Sequence, residues 1–559
     1  MSRLTTVLGI LLVGILLSTD LTSYVKIYLH PSSDPKCQIY DALAPPGFYK
    51  DNSTVLRILN DPEYRLESVA RLSGAVQVDT SVNDDFLDVS EDPETWKRFD
   101  KFEAYLKETF PAVFENSELT KVNSHGIILH WKGSDESLKP LLLTAHQDVV
   151  PVQHETVGDW TYPPFSGHYD GEYLYGRGSF DCKNSLIAVM EALELLMEGG
   201  YQNSRGVIAA FGFDEEITGN FGAKNIAKVL EQKFGPDSMY AIIDEGPGLL
   251  EDPITNTLIA VPGTGEKGLT DLKVQLFMPG GHSSMPPDHG AIGIMGELAM
   301  DIENDPYQAK LTEKNPILKF LQCVAAAGGD KMSTMQKKAI LRADFDTFAN
   351  KLVVDSLLKN KITRNLVRTS QAVDVIRGGE KINALPEEVS LLVNHRVSVD
   401  TTYEQVAEHF ASRVHRLAIK YNLNVTEFGT QTYTAKNAAG AFFVTKLRNR
   451  IEVAPVTPST GKVWEYLAGS TRHVFEHLVL NNTIGYPIVT APAMMPANTD
   501  TRYYWALTRH IFRFAPMIVR LDHCNVHSVN EKIPFDGHLQ LTAWYYQYIQ
   551  NVDTKDADE

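Results

Sequence analysis

Acidic and imidazole side chains recur in this sequence at the ends of short apolar runs. A charge at the end of a buried strand is costly unless it is paired, so such positions favour a shared site. Carboxylates and imidazoles together are the ligand types that suit a divalent metal such as zinc. The residues concerned are His146 and Asp148 after LLLTA, Asp181 in GRGSFDCKNS, Glu215 and Glu216 after GVIAAFGF, Asp244 in AIIDEG and His527 in HCNVHSVNE.

The number of these residues favours two metal ions over one. A single ion needs only three or four protein ligands, whereas two His and at least three acids converge here, with one acid available to bridge. Hydrolytic centres of this composition hold two ions about 3.5–4 Å apart. Because carboxylate oxygens are hard ligands, cobalt or manganese would also suit the predicted site.

The elements that must position these side chains predict a mainly parallel sheet. The apolar runs IILHW, LLLTA, GVIAAFGF and AIIDE alternate with helical patterns at Ser185–Glu198 and Gly222–Gln232. Nearly continuous apolar strands indicate a sheet that is covered by helices on both faces. Sites in such sheets form beyond the carboxyl ends of the strands, where the acids and imidazoles are expected to gather.

After Gly268 the pattern changes to alternating strands, LTDLKVQLFM and VSLLVNHRVSV, followed by a helical pattern at Tyr403–Tyr421. This combination of alternating strands and a helix predicts a smaller α+β domain with one exposed sheet face. The helical pattern returns near Pro458, so the predicted fold class is α/β with an inserted α+β lid domain. The predicted boundaries are 51–265 and 434–559 for the two parts of the catalytic domain and 266–433 for the insert.

The N-terminus predicts entry into the secretory pathway. A short basic start precedes an apolar stretch from Leu4 to Ser18, as in a secretory signal. The stretch is shorter than the ~20 residues that cross a bilayer, and residues 1–20 fit either a cleaved signal or a single retained membrane anchor. Residues 21–50 are predicted to form a linker. Export also agrees with three sequons, at Asn52, Asn424 and Asn481.

Composition excludes several classes of protein. The chain has 559 residues, and its formal net charge of −18 argues against nucleic-acid binding, which needs a cationic face. The four cysteines lie far apart without a CxxC pair, which excludes a cysteine-type zinc site but leaves one disulfide open, with no pairing specified. GRGSF and PGTGEKG lack the spacing of nucleotide-binding loops.

Ordered motifs across the chain resemble those of the aminoacylase/carboxypeptidase family of co-catalytic zinc peptidases. The resemblance runs from about Asp61 to Asn551 and rests on TAHQDVVPV, GRGSFDCK, FDEEITG, IIDEG, GGHSSMPP, NALP and HSVNE. It implies two zinc ions per subunit, with Asp181 bridging them. The implied ligands are His146 and Asp244 for one ion and Glu216 and His527 for the other.

The resemblance also implies roles for the residues around the metals. Asp148 would hold the imidazole of His146, and Glu215 would be the general base that moves a proton from the attacking water to the leaving amine. A cis peptide bond would follow the bridging acid, between Asp181 and Cys182. Cys182 itself is interpreted as a neighbour of the site.

Substrate contacts are expected from the insert and from one loop. His282 would stabilise the oxyanion, and in dimeric relatives its counterpart reaches the other subunit's site, which makes a homodimer conceivable here. Asn383 and Arg396 match positions that grip the substrate carboxylate. Asn498 and Thr499, in PANTDTRYYW, are expected to hydrogen-bond the substrate.

The predicted function is zinc-dependent hydrolysis of the C-terminal peptide bond of short peptides. An N-acyl-amino-acid hydrolase or synthase with the same centre is the alternative, since the sequence does not show the shape of the pocket on the acyl side of the bond. A non-catalytic binding protein with this fold is a remote third reading, because no member of the predicted set is missing. The predicted location is a vacuolar or lysosome-like lumen, or outside the cell; a vacuolar destination rests on the resemblance alone.

Overall fold

The computed structural model describes residues 21–29, 36–252, 255–327, 331–447 and 450–558. The predicted signal or anchor at 1–20 lies outside the described residues, as does part of the predicted linker. Within these ranges no helix combines the length and apolar character needed to cross a membrane.

Helices begin where the sequence supplies caps. The Asp61 side chain accepts the Glu63 N–H at the start of one helix, and Thr402 and Gln405 form a capping box at the start of another. The helices are α1 (Leu21–Leu29), α2 (Ser53–Asn60), α3 (Pro62–Gln77), α4 (Pro93–Trp96), α5 (Arg98–Thr109), α6 (Pro111–Asn116), α7 (Lys183–Glu198), α8 (Ala223–Phe234), α9 (Ala291–Asn304), α10 (Pro316–Ala327), α11 (Thr334–Arg342), α12 (Thr347–Leu357), α13 (Lys361–Leu366), α14 (Tyr403–Tyr421), α15 (Lys462–Arg472), continued by a π-helical turn (His473–Val479), and α16 (Phe535–Asn551).

The strands form two large sheets and three small ones. They are β1 (Glu118–Val122), β2 (Gly126–Trp131), β3 (Leu141–His146), β4 (His168–Tyr169), β5 (Tyr173–Tyr175), β6 (Val207–Gly212), β7 (Ile242–Asp244), β8 (Leu249–Glu251), β9 (Leu258–Ala260), β10 (Gly263–Glu266), β11 (Gly268–Phe277), β12 (Gly281–His282), β13 (Ser370–Gly378), β14 (Ala384–Leu385), β15 (Glu388–Val397), β16 (Asn424–Glu427), β17 (Thr430–Tyr433), β18 (Ala441–Lys446), β19 (Val489–Thr490), β20 (Ala493–Met495), β21 (Ile511–Arg513) and β22 (Lys532–Pro534).

The main sheet has the strand order β1-β2-β6-β3-β7-β21-β10-β20. Its central strands β6, β3, β7 and β21 run parallel, so their carboxyl ends share one edge. Side chains alternate between two cores: Leu141 and Leu143 pack toward α7 and α16, whereas Leu142 packs toward α8. The predicted parallel sheet with helices on both faces is therefore confirmed.

The second sheet has the order β13-β15-β11-β18-β16-β17 and belongs to the insert. Helices α9 and α14 cover one face and form a core with the strands, while Ile376 and Phe443 are exposed on the sheet. Strand β18 (Ala441–Lys446) pairs with β11 in this sheet. The insert therefore extends beyond its predicted end at 433, because the strand that completes the sheet comes later in the sequence.

A further core lies under helices α10 to α12. Leu318, Val324 and Val353 pack there with Ile259 and Val489 from the small β8-β9-β19 sheet. A disulfide joins Cys37 to Cys323 in α10 and ties the N-terminal segment to this core. The pairing that the sequence left open is thus Cys37–Cys323, while Cys182 and Cys524 are free thiols.

Candidate metal centre

The shared edge of the parallel strands brings the predicted acids and imidazoles together. His146 is the last residue of β3, and Glu215 begins a 3₁₀ turn just after β6. Asp181 lies directly before α7, in the loop that follows β5. His527 comes from the segment that precedes β22. His146 and Glu215 meet because their parallel strands end at one edge, whereas Asp181 and His527 reach the same place on segments next to the small sheet that contains β5 and β22.

Asp181 stands between two imidazoles. Its Oδ1 lies 3.1 Å from His146 Nε2, and its Oδ2 lies 3.0 Å from His527 Nε2. Glu216 Oε1 lies 3.1 Å from the same His527 nitrogen. Each oxygen of one carboxylate thus faces a different imidazole, which is the arrangement that a ligand shared by two cations requires.

The fourth acid of the cluster is Glu245, where Asp244 is predicted. Glu245 Oε2 lies 3.6 Å from His146 Nε2, and among the described residues Glu245 groups with His146 and Asp181 as a potential ligand whereas Asp244 does not. Asp244 is the last residue of β7 and pairs in register with Arg513 of β21. The motif IIDEG offers two adjacent acids, and the structure brings Glu245, rather than the predicted Asp244, within reach of His146.

Asp148 is fully buried and forms hydrogen bonds with His146, Glu215 and Glu216. His146 Nδ1 donates a hydrogen bond to the Asp148 carbonyl oxygen at 2.9 Å, which leaves Nε2 to face Asp181. The Asp148 carboxylate accepts the N–H groups of Glu215 and Glu216 at 3.1 and 3.0 Å. A single residue thereby holds all three groups: the Asp148 carbonyl oxygen holds the imidazole, and its carboxylate holds the backbone of the two adjacent glutamates.

The carboxylates of this cluster repel one another. Burial and then the charge of Asp181 raise the pKa of Glu216 to about 7 and that of Glu245 to about 8. Burial, followed by the charge of Glu245, raises the pKa of Glu215 well above its usual value. Groups that resist ionisation together are stabilised as anions by a bound cation. The donor set therefore fits divalent metal ions.

The two imidazoles have the opposite effect on the bridging acid. Burial raises the pKa of Asp181, but hydrogen bonds with His146 and His527 hold it below its usual range. The same contacts, with Asp181 first and Glu216 second, raise the pKa of His527 to about 10. Asp181 is therefore anionic across the physiological range, as a bridging ligand must be.

The peptide bond between Asp181 and Cys182 is cis, which confirms the sequence prediction. The Cys182 thiol is fully enclosed, with Sγ 3.3 Å from the His146 backbone nitrogen. Sγ lies within 4.8 Å of ligand atoms of His146, Asp181 and Glu245. Its contact with the backbone of His146 explains this position without a bond to a metal.

A cavity of about 790 Å³ opens over the cluster. Arg396 lines it, and its Nη1 donates to Asn498 Oδ1 at 3.1 Å. Asn498 in turn donates to the Lys267 carbonyl oxygen at 2.6 Å. Thr499 also lines the cavity, but its hydroxyl donates to the buried Glu266 at 2.8 Å. The predicted contacts Arg396 and Asn498 therefore lie at the cavity, whereas the Thr499 hydroxyl is already used in a hydrogen bond inside the protein.

His282 and Asn383 are not among the described residues that line this cavity. His282 lies in β12 and Asn383 immediately precedes β14, its partner in an exposed two-stranded sheet, and the Ser283 N–H donates to the Asn383 carbonyl oxygen at 3.3 Å. The His282 ring contacts the Ser284 hydroxyl at 2.7 Å. Within one chain, the structure does not bring these two predicted substrate contacts to the metal centre.

Glu531 also belongs to this centre although it was not selected from the sequence. It is fully buried, and its carboxylate contacts the loop that carries Asp181. Its signal in the sequence is an acid at the end of the HSVNE motif, four residues after His527. A terminal acid in a motif is uninformative until its burial is known.

Comparison with known proteins agrees with this geometry. Residues 142–551 match the model of peptidase family M20/M25/M40. The chain is 41% identical to carboxypeptidase S of Saccharomyces cerevisiae over 94% of its own length and 90% of that protein. It is 30% identical to the human N-fatty-acyl-amino acid synthase/hydrolase PM20D1 over 88% of its own length and 89% of that protein.

Solved structures show the same fold at low sequence identity. Human carnosine dipeptidase 1 superposes with a TM-score of 0.59 at 14% identity, over 91% of this chain and 99% of that one. The M20 family metallo-carboxypeptidase Sso-CP2 from Sulfolobus solfataricus superposes with a TM-score of 0.55 at 17% identity, over 87% of this chain and 99% of that one. The α/β domain with its insert is therefore a shared architecture.

Proposed function

The chain belongs to peptidase family M20/M25/M40, and on that premise we propose that it is a metallo-carboxypeptidase that removes the C-terminal residue of short peptides. The observation that carries the proposal is the position of Asp181, whose two oxygens face His146 and His527 beside Glu215. A non-catalytic role would not require this intact set. The relatives named carboxypeptidase support the same conclusion.

We propose that two divalent ions, zinc in the first place and cobalt or manganese as substitutes, occupy each subunit. One set of ligands is His146, Asp181 and Glu245, and the other is Asp181, Glu216 and His527. Ions bound there would supply polarisation of the scissile carbonyl and would lower the pKa of a water from 15.7 to about 7.

Glu215 is the proton carrier in this proposal. It lines the cavity beside the proposed ligands, and its backbone N–H donates to the Asp148 carboxylate at 3.1 Å, which holds it in place. It takes the proton of the attacking water and delivers it to the nitrogen of the leaving amino acid. Asp148 acts by holding Glu215 and His146 in place.

Arg396 supplies the cation that a free α-carboxylate requires. It lines the cavity over the metal centre and is steadied by Asn498, which is anchored on the backbone of Lys267. A carboxylate bound there places the preceding peptide bond toward the acids. This arrangement would favour cleavage of the last bond of a chain.

A homodimer would complete the site. His282 and Asn383 are exposed and are not among the described lining residues of their own chain's cavity. The proposal is that they reach the cavity of a second copy, where His282 donates to the developing oxyanion and Asn383 contacts the substrate carboxylate. Measurement of the oligomeric state by light scattering tests this part.

Hydrolysis of N-acyl amino acids is the second candidate, because relatives such as human PM20D1 carry that name. The cavity favours the peptide substrate, since Lys224, Arg450 and Glu452 are charged residues in its wall. A long acyl chain would have to bury apolar surface against these groups, at a cost.

The deciding assay offers the purified protein a blocked Gly-Leu dipeptide and an N-oleoyl amino acid, before and after chelation. We expect hydrolysis of the dipeptide, little of the N-oleoyl substrate, and loss of activity on chelation. Faster hydrolysis of the N-oleoyl substrate would favour the second candidate, and chelator-resistant activity would exclude both.

We propose that the protein resides in an oxidising compartment, either a vacuolar lumen or the space outside the cell. The Cys37–Cys323 disulfide supports this, because such bonds persist outside the reducing cytosol. Of the sequons, Asn481 is exposed and available for glycosylation, whereas Asn424 Oδ1 accepts the Ala435 N–H at 2.9 Å.

A further inference from the structure

Glu531 is a fully buried carboxylate that the proposed reaction does not use. Its Oε2 lies 2.5 Å from Arg177 Nη1, and the Arg177 side chain is itself only 5% exposed. Replacing such a buried pair with apolar side chains is often neutral or stabilising for a fold. A contribution to the stability of the fold therefore does not explain this ion pair. Its other contacts indicate a different role.

The second oxygen of Glu531 binds the loop that carries the bridging acid. Oε1 accepts the N–H groups of Gly178, Phe180 and Asp181 at 3.0, 3.1 and 3.2 Å. Three donors converging on one anionic oxygen fix the path of the backbone, since hydrogen bonds to charged groups are stronger than neutral ones. The loop is also tight, because Gly178 has φ +81° and a Cβ there would lie 2.4 Å from Val149 Cγ1.

The segment that carries Glu531 also carries His527, four residues earlier. Immediately after Glu531, β22 pairs with β5, and the Gly176 N–H donates to the Glu531 carbonyl oxygen at 2.9 Å. Glu531 thus joins the two segments whose side chains, Asp181 and His527, lie 3.0 Å apart. Movement of either segment would change that separation.

We propose that Glu531 is a positioning residue that holds the Asp181 loop against the His527 segment and so sets the metal affinity of the centre. The proposal rests on the proposed two-ion function. Its physical content is preorganisation: with Glu531 in place, the bridging carboxylate already faces both imidazoles before an ion binds. Groups that orient ligands in this way are worth about 10–100-fold in metal affinity.

The test compares Glu531→Gln with wild type by titrating zinc into the demetallated full chain in competition with a chromophoric chelator. Glutamine keeps the size and one acceptor oxygen but loses the charge that binds Arg177. We expect zinc affinity to fall about 10–100-fold. We also expect kcat to recover substantially at saturating zinc, because Glu531 does not touch the substrate.

The matched control is Glu191→Gln. Glu191 is equally buried, and its carboxylate accepts hydrogen bonds from Ser68 and Thr542 at 3.0 and 3.2 Å, within a cluster of helices. Loss of this charge is expected to lower the thermal midpoint while leaving zinc affinity within about 2-fold of wild type. A general effect of losing a buried carboxylate would weaken zinc binding in both variants alike and would overturn the proposal.

Wild-type zinc affinity in Glu531→Gln would also overturn it. If that variant does not fold, Arg177→Lys decides, because lysine keeps the charge and loses the planar guanidinium; weaker zinc binding then supports the proposal and unchanged binding refutes it. A wild-type protein that binds no zinc would instead overturn the proposed function, so the two failures are distinguishable.

Discussion

Individual side chains in this centre have separable tasks. Asp181 faces both imidazoles, Asp148 fixes the backbone of the glutamate pair, and Glu215 lines the substrate cavity. In the proposed mechanism, metal binding and proton transfer therefore belong to different residues of one cavity. Substitutions at this scale should separate metal binding from turnover.

Glu215→Gln removes the proposed proton carrier and leaves the ligands in place. We expect kcat to fall about 10²–10⁴-fold, because a positioned general base contributes that much, while zinc content stays at the wild-type value. Kinetics with a blocked dipeptide and metal analysis of the same preparation measure both quantities. Glu115→Gln, at an exposed position, is the control. Normal turnover in Glu215→Gln would remove Glu215 from the mechanism.

Glu245 and Asp244 are adjacent, and the structure assigns the contact with His146 to Glu245. We expect Glu245→Gln to weaken zinc binding more than Asp244→Asn does, by at least about 10-fold, because only the first loses an oxygen that faces the cluster. Competition with a chelator gives the two affinities. The reverse order would restore Asp244 as the ligand that the sequence predicted.

At the scale of elements, the sequence predicted what local patterns encode. The helical pattern at Tyr403–Tyr421 gives α14 with the same ends, and the apolar run LLLTA gives β3 ending at His146. Helices α10 to α13 were not predicted, because they pack on Ile259 and Val489, far away in the sequence. The orientation of the two acids in IIDEG could not be predicted for a related reason: periodicity places the motif at a strand end but does not show which of Asp244 and Glu245 faces His146.

Strand β15 carries Arg396 from the insert to the cavity over the metal centre. We expect Arg396→Met to lower kcat/KM for peptides about 10–100-fold, mainly through KM, since a hydrogen bond to a charged group is worth about 1.5–3 kcal/mol. Steady-state kinetics measure the effect. Arg377→Met, at an exposed position on the neighbouring strand β13, should leave kcat/KM unchanged. Equal effects of both variants would argue against a specific carboxylate contact.

At the scale of the whole molecule, stability depends on buried neutral histidines as well as on the hydrophobic cores. His395 is fully buried between the rings of Tyr307 and Phe410. Burial lowers the pKa of His395 to about 4, and it does the same for His130 and His473. In the unfolded chain these imidazoles take up protons near pH 6.5, so acid favours unfolding.

Stability should therefore fall as the pH drops from about 6.5 to about 4 and then stop changing through these groups. For His395 alone the loss is on the order of 3 kcal/mol. Thermal melts across this range should show a smaller decrease for His395→Phe, which preserves an aromatic side chain between the two rings. A pH dependence identical to that of wild type would contradict a buried neutral His395.

The central claim is that Asp181, His146, Glu245, Glu216 and His527 hold two ions on which peptide hydrolysis depends. It is tested most directly by titrating zinc into demetallated protein while measuring bound zinc and peptidase activity in the same samples. We predict no activity without metal and full activity at about two zinc ions per chain. Full activity in protein that retains less than about a tenth of an ion per chain would contradict the account.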